Sequence, residues 1–198
     1  MDFAELARAL DPRLDGLISR GRAAHSRRVA ELAASLCTRE GIDPGKGRAG
    51  GLAHDMCKDM PRKAQRELAA SYPEAVPGAV LTPALMSDKV VHGPAAAVLL
   101  ARDYSVSDRG LLEAVALHTL GSPDMGALPI ILYCSDKLEP GRERLDEAER
   151  KRCLALPLAE MLLAVVEGVI GWMGEQGRDV APETLILYSN LTREADPQ

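Results

Sequence analysis

Aromatic side chains are nearly missing from this chain, which has one Trp, one Phe and four Tyr in 198 residues. A core of the size this length supports must then be built from Ala, Leu and Val. Alternating runs of β-branched residues are also few, which removes the usual mark of strands and favours an all-α fold. A basic excess is lacking, since the formal net charge is −5. That argues against a broad nucleic-acid-binding face but leaves room for a local cationic pocket that takes a phosphate compound. No Cys-x-x-Cys pair occurs among Cys37, Cys57, Cys134 and Cys153, so these are expected to be reduced, mostly buried thiols. No apolar leader opens the chain, and the longest apolar stretch, Met161 to Trp172, contains Glu167 and is too short for a bilayer. The expectation is a soluble cytoplasmic protein that engages no membrane. Linkers, internal repeats and low-complexity segments are missing too. This predicts one domain over 1–198, with its motifs in about 15–142 and packing helices over 143–192.

What is present is helical periodicity. Phe3 to Leu10 predicts a short helix that stops near Pro12. Val29, Leu32, Ala33 and Leu36 recur at i, i+3, i+4 and i+7 in a helix opened by Ser19 or Gly21, and His25 faces inward on the same stripe. Gly41 is a stop, and Asp43-Pro44 starts the helix that carries His54 and Asp55. Pro61 opens a helix from Arg62 to Ala70. Ser71 to Pro83, with three prolines and a glycine, reads as a loop. Ser87 or Asp88 caps a helix to Arg102 that carries His92, and Ser107 caps one that ends near His118. A helix from about Met125 to Glu139 carries Asp136, with Pro129 in its first turn. Arg142 to Arg152 predicts a solvated helix. Leu158, Met161, Leu162, Val165, Val169, Trp172 and Met173 form a core-packing stripe, and Pro182 and Thr184 start a last helix.

Histidine is scarce but ordered. His25, His54, His92 and His118 are the only four, each in or beside a predicted helix, and Asp136 follows within an apolar run. After the small, apolar Gly50 to Ala53, the residues His54, Asp55, Lys58 and Asp59 fall within two helical turns. Spacings of three and four let Lys58 share a face with Asp55 and His54, a polar site at the rim of a core. Imidazole and carboxylate donors suit Fe, Mn, Zn, Co or Ni.

The order H…HD…H…H…D resembles the ligand order of the HD-domain metal-dependent phosphohydrolases. Further runs narrow the resemblance. They are Arg22-Ala23-Ala24-His25-Ser26, the HD-x-x-K segment, Val91-His92-Gly93-Pro94-Ala95, His118-Thr119-Leu120-Gly121, and Asp136-Lys137-Leu138-Glu139-Pro140-Gly141-Arg142. Together they are similar to the signature of the YqeK family, the HD-domain symmetrical hydrolases of bis(5'-nucleosyl)-tetraphosphates. Cys134 and Pro129 depart from that pattern without touching a ligand.

The resemblance implies an all-α, single-domain HD bundle that cleaves diadenosine tetraphosphate at its middle bridge into two ADP. It implies metal ligation by His25, His54, Asp55, His92, His118 and Asp136, with iron favoured among the divalent transition metals and two ions expected. In that arrangement Asp55 bridges a first ion on His25, His54 and Asp136 to a second on His92 and His118. With a single ion, His92 and His118 would instead contact phosphate. Water on such an ion is acidified from about 15.7 to roughly 7, which supplies the attacking hydroxide. Catalytic roles then fall to Asp55, Lys58, His92 and His118. Substrate contacts fall to Arg22, Lys58, His92, His118, Thr119 and Arg142, where Arg suits bidentate phosphate contact and Lys a point charge. The expected partner is a nucleotide, not a nucleic acid, acting on a monomer or homodimer. Alternatives are an HD-type hydrolase of another nucleotide or an alarmone, and a non-catalytic module that senses a metal or ligand.

Overall fold

A computed structural model of the chain describes residues 2–142 and 145–195. Every regular element among them is helical: α1 Phe3–Leu17, α2 Arg20–Arg39, α3 Pro44–Ala53, α4 Arg62–Ala70, α5 Tyr72–Ala75, α6 His92–Asp103, α7 Arg109–Leu117, α8 Ala127–Leu138, α9 Glu147–Ala155, α10 Leu158–Glu175 and α11 Pro182–Ala195. The all-α expectation holds. α8 is the axis of the bundle. It packs against α2, α3 and α7 on one side and against α10 on the other, and α10 in turn carries α9 and α11. α1 lies across α3, while α4 and α5 cover α6, which pairs with α7. One apolar cluster runs from Leu6 to Leu187 and is built mostly of Ala, Leu and Val. All four cysteines are free and buried within it. Among the described residues no helix is long and apolar enough to cross a membrane.

Several local expectations are corrected. Pro12 does not stop α1, which runs five residues further to Leu17. Leu6, Leu10 and Leu14 are all buried on one face, and Arg27 clamps Asp11 and Asp15 on the next turn. That packing offsets the backbone hydrogen bond a proline removes. The stretch Ser71 to Pro83 is not purely loop, because α5 buries Tyr72 there. α6 begins at His92 rather than Ser87 or Asp88, and the residues before it form separate turns. The cap of α7 is Asp108, whose carboxylate accepts from the Leu111 backbone N–H, and not Ser107. In the stretch Arg142 to Arg152 the helix starts only at Glu147, and residues 143 and 144 lie outside the described ones. Trp172 is half-buried rather than core, with the Arg178 guanidinium 5.4 Å from its ring.

The HD pair itself stands just beyond a helix, not inside one. α3 ends at Ala53 and His54 is its C-cap. Met56, Lys58 and Met60 then donate their N–H groups three residues back, to Ala53, Asp55 and Cys57. These tight turns direct His54 and Asp55 to different sides of one cluster, as the consecutive placement suggests.

α3 reaches that position because its packing face has no side chains. A Cβ on Gly51 would lie 2.3 Å from Ala30 Cα, and one on Gly47 would lie 2.6 Å from the Ala33 carbonyl oxygen. Only hydrogen fits there, so α3 seats directly on the α2 backbone and delivers His54 next to His25 of α2.

Candidate metal centre

Five elements converge on one cleft. α2 supplies His25, the end of α3 supplies His54 and Asp55, and the start of α6 supplies His92. The end of α7 supplies His118, and α8 supplies Asp136. His54, His92 and His118 are fully or almost fully buried, and Asp55 and Asp136 nearly so. His25 Nε2 lies 3.0 Å from Asp136 Oδ1 and 3.3 Å from His54 Nε2. On the other side His92 Nε2 lies 3.1 Å from both Asp55 Oδ1 and His118 Nε2. Asp55 Oδ1 is 3.7 Å from His118 Nε2, and its Oδ2 is 3.9 Å from His54 Nε2. Two donor groups emerge, His25–His54–Asp136 and His54–Asp55–His118, each with its ligand atoms within 4.8 Å of one another. All six expected ligand residues are thus brought together.

The hydrogen bonds behind these residues show that the cluster fits a cation. His54 Nδ1 donates to the Gly51 carbonyl at 2.7 Å, and His118 Nδ1 donates to the Val115 carbonyl at 2.7 Å. His25 Nδ1 faces Glu139 Oε1 at 3.0 Å. With those protons on Nδ1, the Nε2 lone pairs of His25, His54 and His118 all point into the cluster, against carboxylate oxygens. Lone pairs crowded together in this way need a positive charge between them. His25 reveals that demand. Burial lowers its pKa, but its hydrogen bonds to Asp136 and Glu139 outweigh burial and raise it above the ordinary imidazole value. His54 and His92 are pushed down by burial, and His118 falls to about 3 for the same reason. These three imidazoles stay neutral and ready to ligate at physiological pH. Burial would raise Asp136, but the Lys137 ammonium beside it holds it well below the usual carboxylate range. Borderline nitrogen with hard oxygen is a donor set for divalent transition metals.

The cleft above the cluster has a volume of about 410 Å³ and is lined by Arg22, Lys58, Thr119 and Arg142 together with His25, Asp55, His118 and Asp136. Every substrate-contact candidate therefore reaches one space, except that His92 lies beneath it. Lys58 Nζ is 2.9 Å from His92 Nε2 and 3.5 Å from Asp55 Oδ1. Arg22 is held by Asp59, which also accepts from the Ser19 N–H. Thr119 Oγ1 stands 3.1 Å from His118 Nε2. Arg142 donates twice to residue Asp136, to its carboxylate at 2.5 Å and its carbonyl at 2.7 Å.

Glu139 was expected to play a supporting role, but the two cations that work with the site from behind, Arg28 and Lys137, were not. Arg28, one turn beyond His25, donates to Glu139, which also accepts from the Gly141 N–H. This ties His25 to the Pro140-Gly141 turn. Lys137 donates to the His118 carbonyl at 2.5 Å and to Asp136 at 3.1 Å, bridging the two halves of the site from behind. The spacing of Arg28 and Glu139, three residues past His25 and Asp136 respectively, was the available signal.

The buried imidazoles predict acid sensitivity of the metal-free protein. The unfolded chain takes up protons near pH 6.5, whereas folded His118 resists until about pH 3. The His118 share of stability is therefore lost as pH falls below about 6.5, and His54 and His92 add to the loss in the same direction, while His25, whose pKa is raised in the fold, opposes it. Glu139, held at about 2, adds a further loss below about 4.5. Thermal unfolding in chelator between pH 7 and 4.5 should show the slope, and His118→Asn should flatten it. A flat profile in the unmodified chain would contradict this.

Buried imidazoles and carboxylates under a cationic cleft make the arrangement of a metal-dependent hydrolase. The HD domain family model matches residues 22–156, and the chain belongs to that family. It is similar to the symmetrical bis(5'-nucleosyl)-tetraphosphatase of Bacillus subtilis strain 168, at 26% identity over 167 residues, or 84% of this chain and 87% of the relative. The protein of the same name in Staphylococcus aureus NCTC 8325 is 30% identical over 120 residues, 60% of this chain and 58% of the relative. Among solved structures, a "predicted HD superfamily hydrolase involved in NAD metabolism" from Clostridium acetobutylicum superposes with a TM-score of 0.82 at 26% identity, covering 94% of this chain and 97% of that one.

Proposed function

We propose that this protein is a symmetrical bis(5'-nucleosyl)-tetraphosphatase, which cleaves diadenosine tetraphosphate at its central anhydride into two ADP. The observation that carries the reading is the convergence of Arg22, Lys58 and Arg142 on a cleft whose floor is the histidine–carboxylate cluster. The names of the Bacillus and Staphylococcus relatives support the substrate.

His25, His54, Asp55 and Asp136 would hold one divalent ion, and Asp55, His92 and His118 a second. Iron is the favoured metal, with Mn, Co, Ni or Zn accepted by the same donors. Bound ions supply a nucleophile at neutral pH and neutralise phosphoryl charge. The chain supplies the rest. Lys58 sets a point charge beside Asp55 and His92, where phosphoryl oxygens gather negative charge. Arg142 pins Asp136 and turns the remainder of its guanidinium toward the cleft. Arg22, oriented by Asp59, and the Thr119 hydroxyl hold the flanking phosphates. The whole chain acts as one unit around its apolar core, as a monomer or homodimer in the cytoplasm.

A substrate panel tests this. Metal-loaded protein is expected to favour diadenosine tetraphosphate over nucleoside mono- and triphosphates and guanosine tetraphosphate by at least about tenfold in kcat/KM. Preference for one of the others would reassign the substrate. Failure on all of them would leave a metal- or ligand-sensing module.

A further inference from the structure

We propose that Lys137 is a positioning residue of the metal centre. Its buried ammonium sets the Asp136 carboxylate on α8 and the His118 imidazole on α7 in register with each other, and so tunes the affinity of the cluster for a divalent cation. The proposal rests on the metal-dependent reading above.

Arg22, Lys58 and Arg142 line the cleft, whereas Lys137 does not. Only 11% of its side chain is exposed. An ammonium has three N–H donors and is costly to bury unless they find partners. The surroundings of Lys137 supply three. Nζ donates to the His118 carbonyl at 2.5 Å and to Asp136 Oδ2 at 3.1 Å, and it lies 3.9 Å from the centroid of the Tyr133 ring. Tyr133 is one turn earlier on α8 and fully buried, so the ammonium rests on a fixed floor.

The two hydrogen bonds act on two different ligand residues. In Asp136, Oδ1 faces His25 Nε2 at 3.0 Å while Lys137 holds Oδ2. With Oδ2 held, the carboxylate cannot rotate Oδ1 away from the cluster. His118 is set through its backbone. It is the C-cap of α7, and its ring is tied to that last turn by the Nδ1 bond to the Val115 carbonyl. Lys137 clamps the carbonyl of the same residue, at the helix end where the macrodipole favours a cation. One side chain therefore fixes a carboxylate of the His25–His54–Asp136 group and an imidazole of the His54–Asp55–His118 group. α7 and α8 pack on each other, but packing alone leaves the last turn of α7 free to shift against Asp136, and the lysine removes that freedom. Hydrogen bonds that orient ligands from behind commonly set metal affinity.

Lys137→Met keeps the length and apolar stem of the side chain and removes its charge and donors. Mn²⁺ titrated into this variant and followed by calorimetry should bind about tenfold more weakly than in the parent. The Mn²⁺ concentration that gives half-maximal turnover of diadenosine tetraphosphate should rise in step. Excess Mn²⁺ should then restore most of kcat, with KM within about twofold of the parent. Lys137→Gln, which keeps an N–H donor without the charge, should lose less affinity, and it is titrated in the same way so that the outcome does not depend on Lys137→Met folding. A lysine that serves only packing would lower Tm in chelator and leave Mn²⁺ affinity within about twofold of the parent in whichever variants fold, and that result overturns the assignment. A raised KM that excess Mn²⁺ does not correct would place Lys137 on the substrate and overturn it as well. A parent protein that binds no Mn²⁺ removes the metal-centre reading and this role together. A parent that binds Mn²⁺, with unchanged affinity in the variants, leaves the centre standing and removes only the role of Lys137.

Discussion

Replacing Asp55 by alanine is expected to strip the metal from the protein and to lower turnover of diadenosine tetraphosphate by about 10³-fold or more, equivalent to roughly 4 kcal/mol of barrier. Asp55 is the residue that touches both halves of the cluster. One carboxylate oxygen faces His92 and His118, and the other faces His54. Its negative charge balances the ions the imidazoles would hold, so its loss leaves a set of neutral nitrogens with much lower affinity for a divalent cation. Elemental analysis and a turnover assay on one preparation read both effects. Asp55→Asn keeps the shape and should fail nearly as badly, because charge is what is lost. Full metal content with turnover abolished would assign Asp55 to the substrate instead. Unchanged turnover would remove it from the site.

The second large effect is expected at a residue that supplies no ligand atom. Gly51→Ala should destabilise the fold by about 3 kcal/mol or more, since overpacking against rigid neighbours costs 1–3 kcal/mol and sometimes exceeds that. Here the added methyl would meet Ala30 Cα at 2.3 Å and Ala30 N at 2.4 Å. These are backbone atoms that cannot rotate away, so α3 must lift from α2. For a chain of this length the loss lowers Tm by about 6–12 °C. Metal affinity should fall with it, because the Gly51 carbonyl holds His54 Nδ1. Gly16→Ala is the control. It adds a methyl in α1 where nothing lies within 4 Å, and should be neutral or slightly stabilising. Equal Tm values for the two variants would contradict the packing account.

These two residues mark what could and could not be read beforehand. Asp55 was legible because donor chemistry is carried by residue type and order. Four histidines, each near a helix, have few other reasons to occur in that order with an HD pair. The helices were legible from apolar spacing, and Ser19, Gly41, Asp43 and Pro61 marked real boundaries. Pro12 misled because its local preference was overruled by the burial of Leu10 and Leu14 on either side. The HD pair was expected inside α3 because spacings of three and four look alike in a helix and in a succession of tight turns. Gly51 stood out only as small. That its hydrogen faces another backbone is a fact of tertiary packing, which one sequence does not contain. The same holds for Arg28 with Glu139, 111 residues apart, and for Lys137, whose bond to the His118 carbonyl needs α7 and α8 already docked. Trp172 closed a helical stripe and was expected in the core, but a stripe does not say how far the neighbouring elements extend to cover it.

The central claim is that this site cuts a dinucleoside tetraphosphate in its middle. Anaerobic incubation of the iron-loaded protein with diadenosine tetraphosphate, followed by chromatographic separation of the nucleotides, tests it most directly. The account predicts ADP as the only product. ATP and AMP in equal amounts would contradict it, placing attack at an outer anhydride and leaving a hydrolase that is not symmetrical.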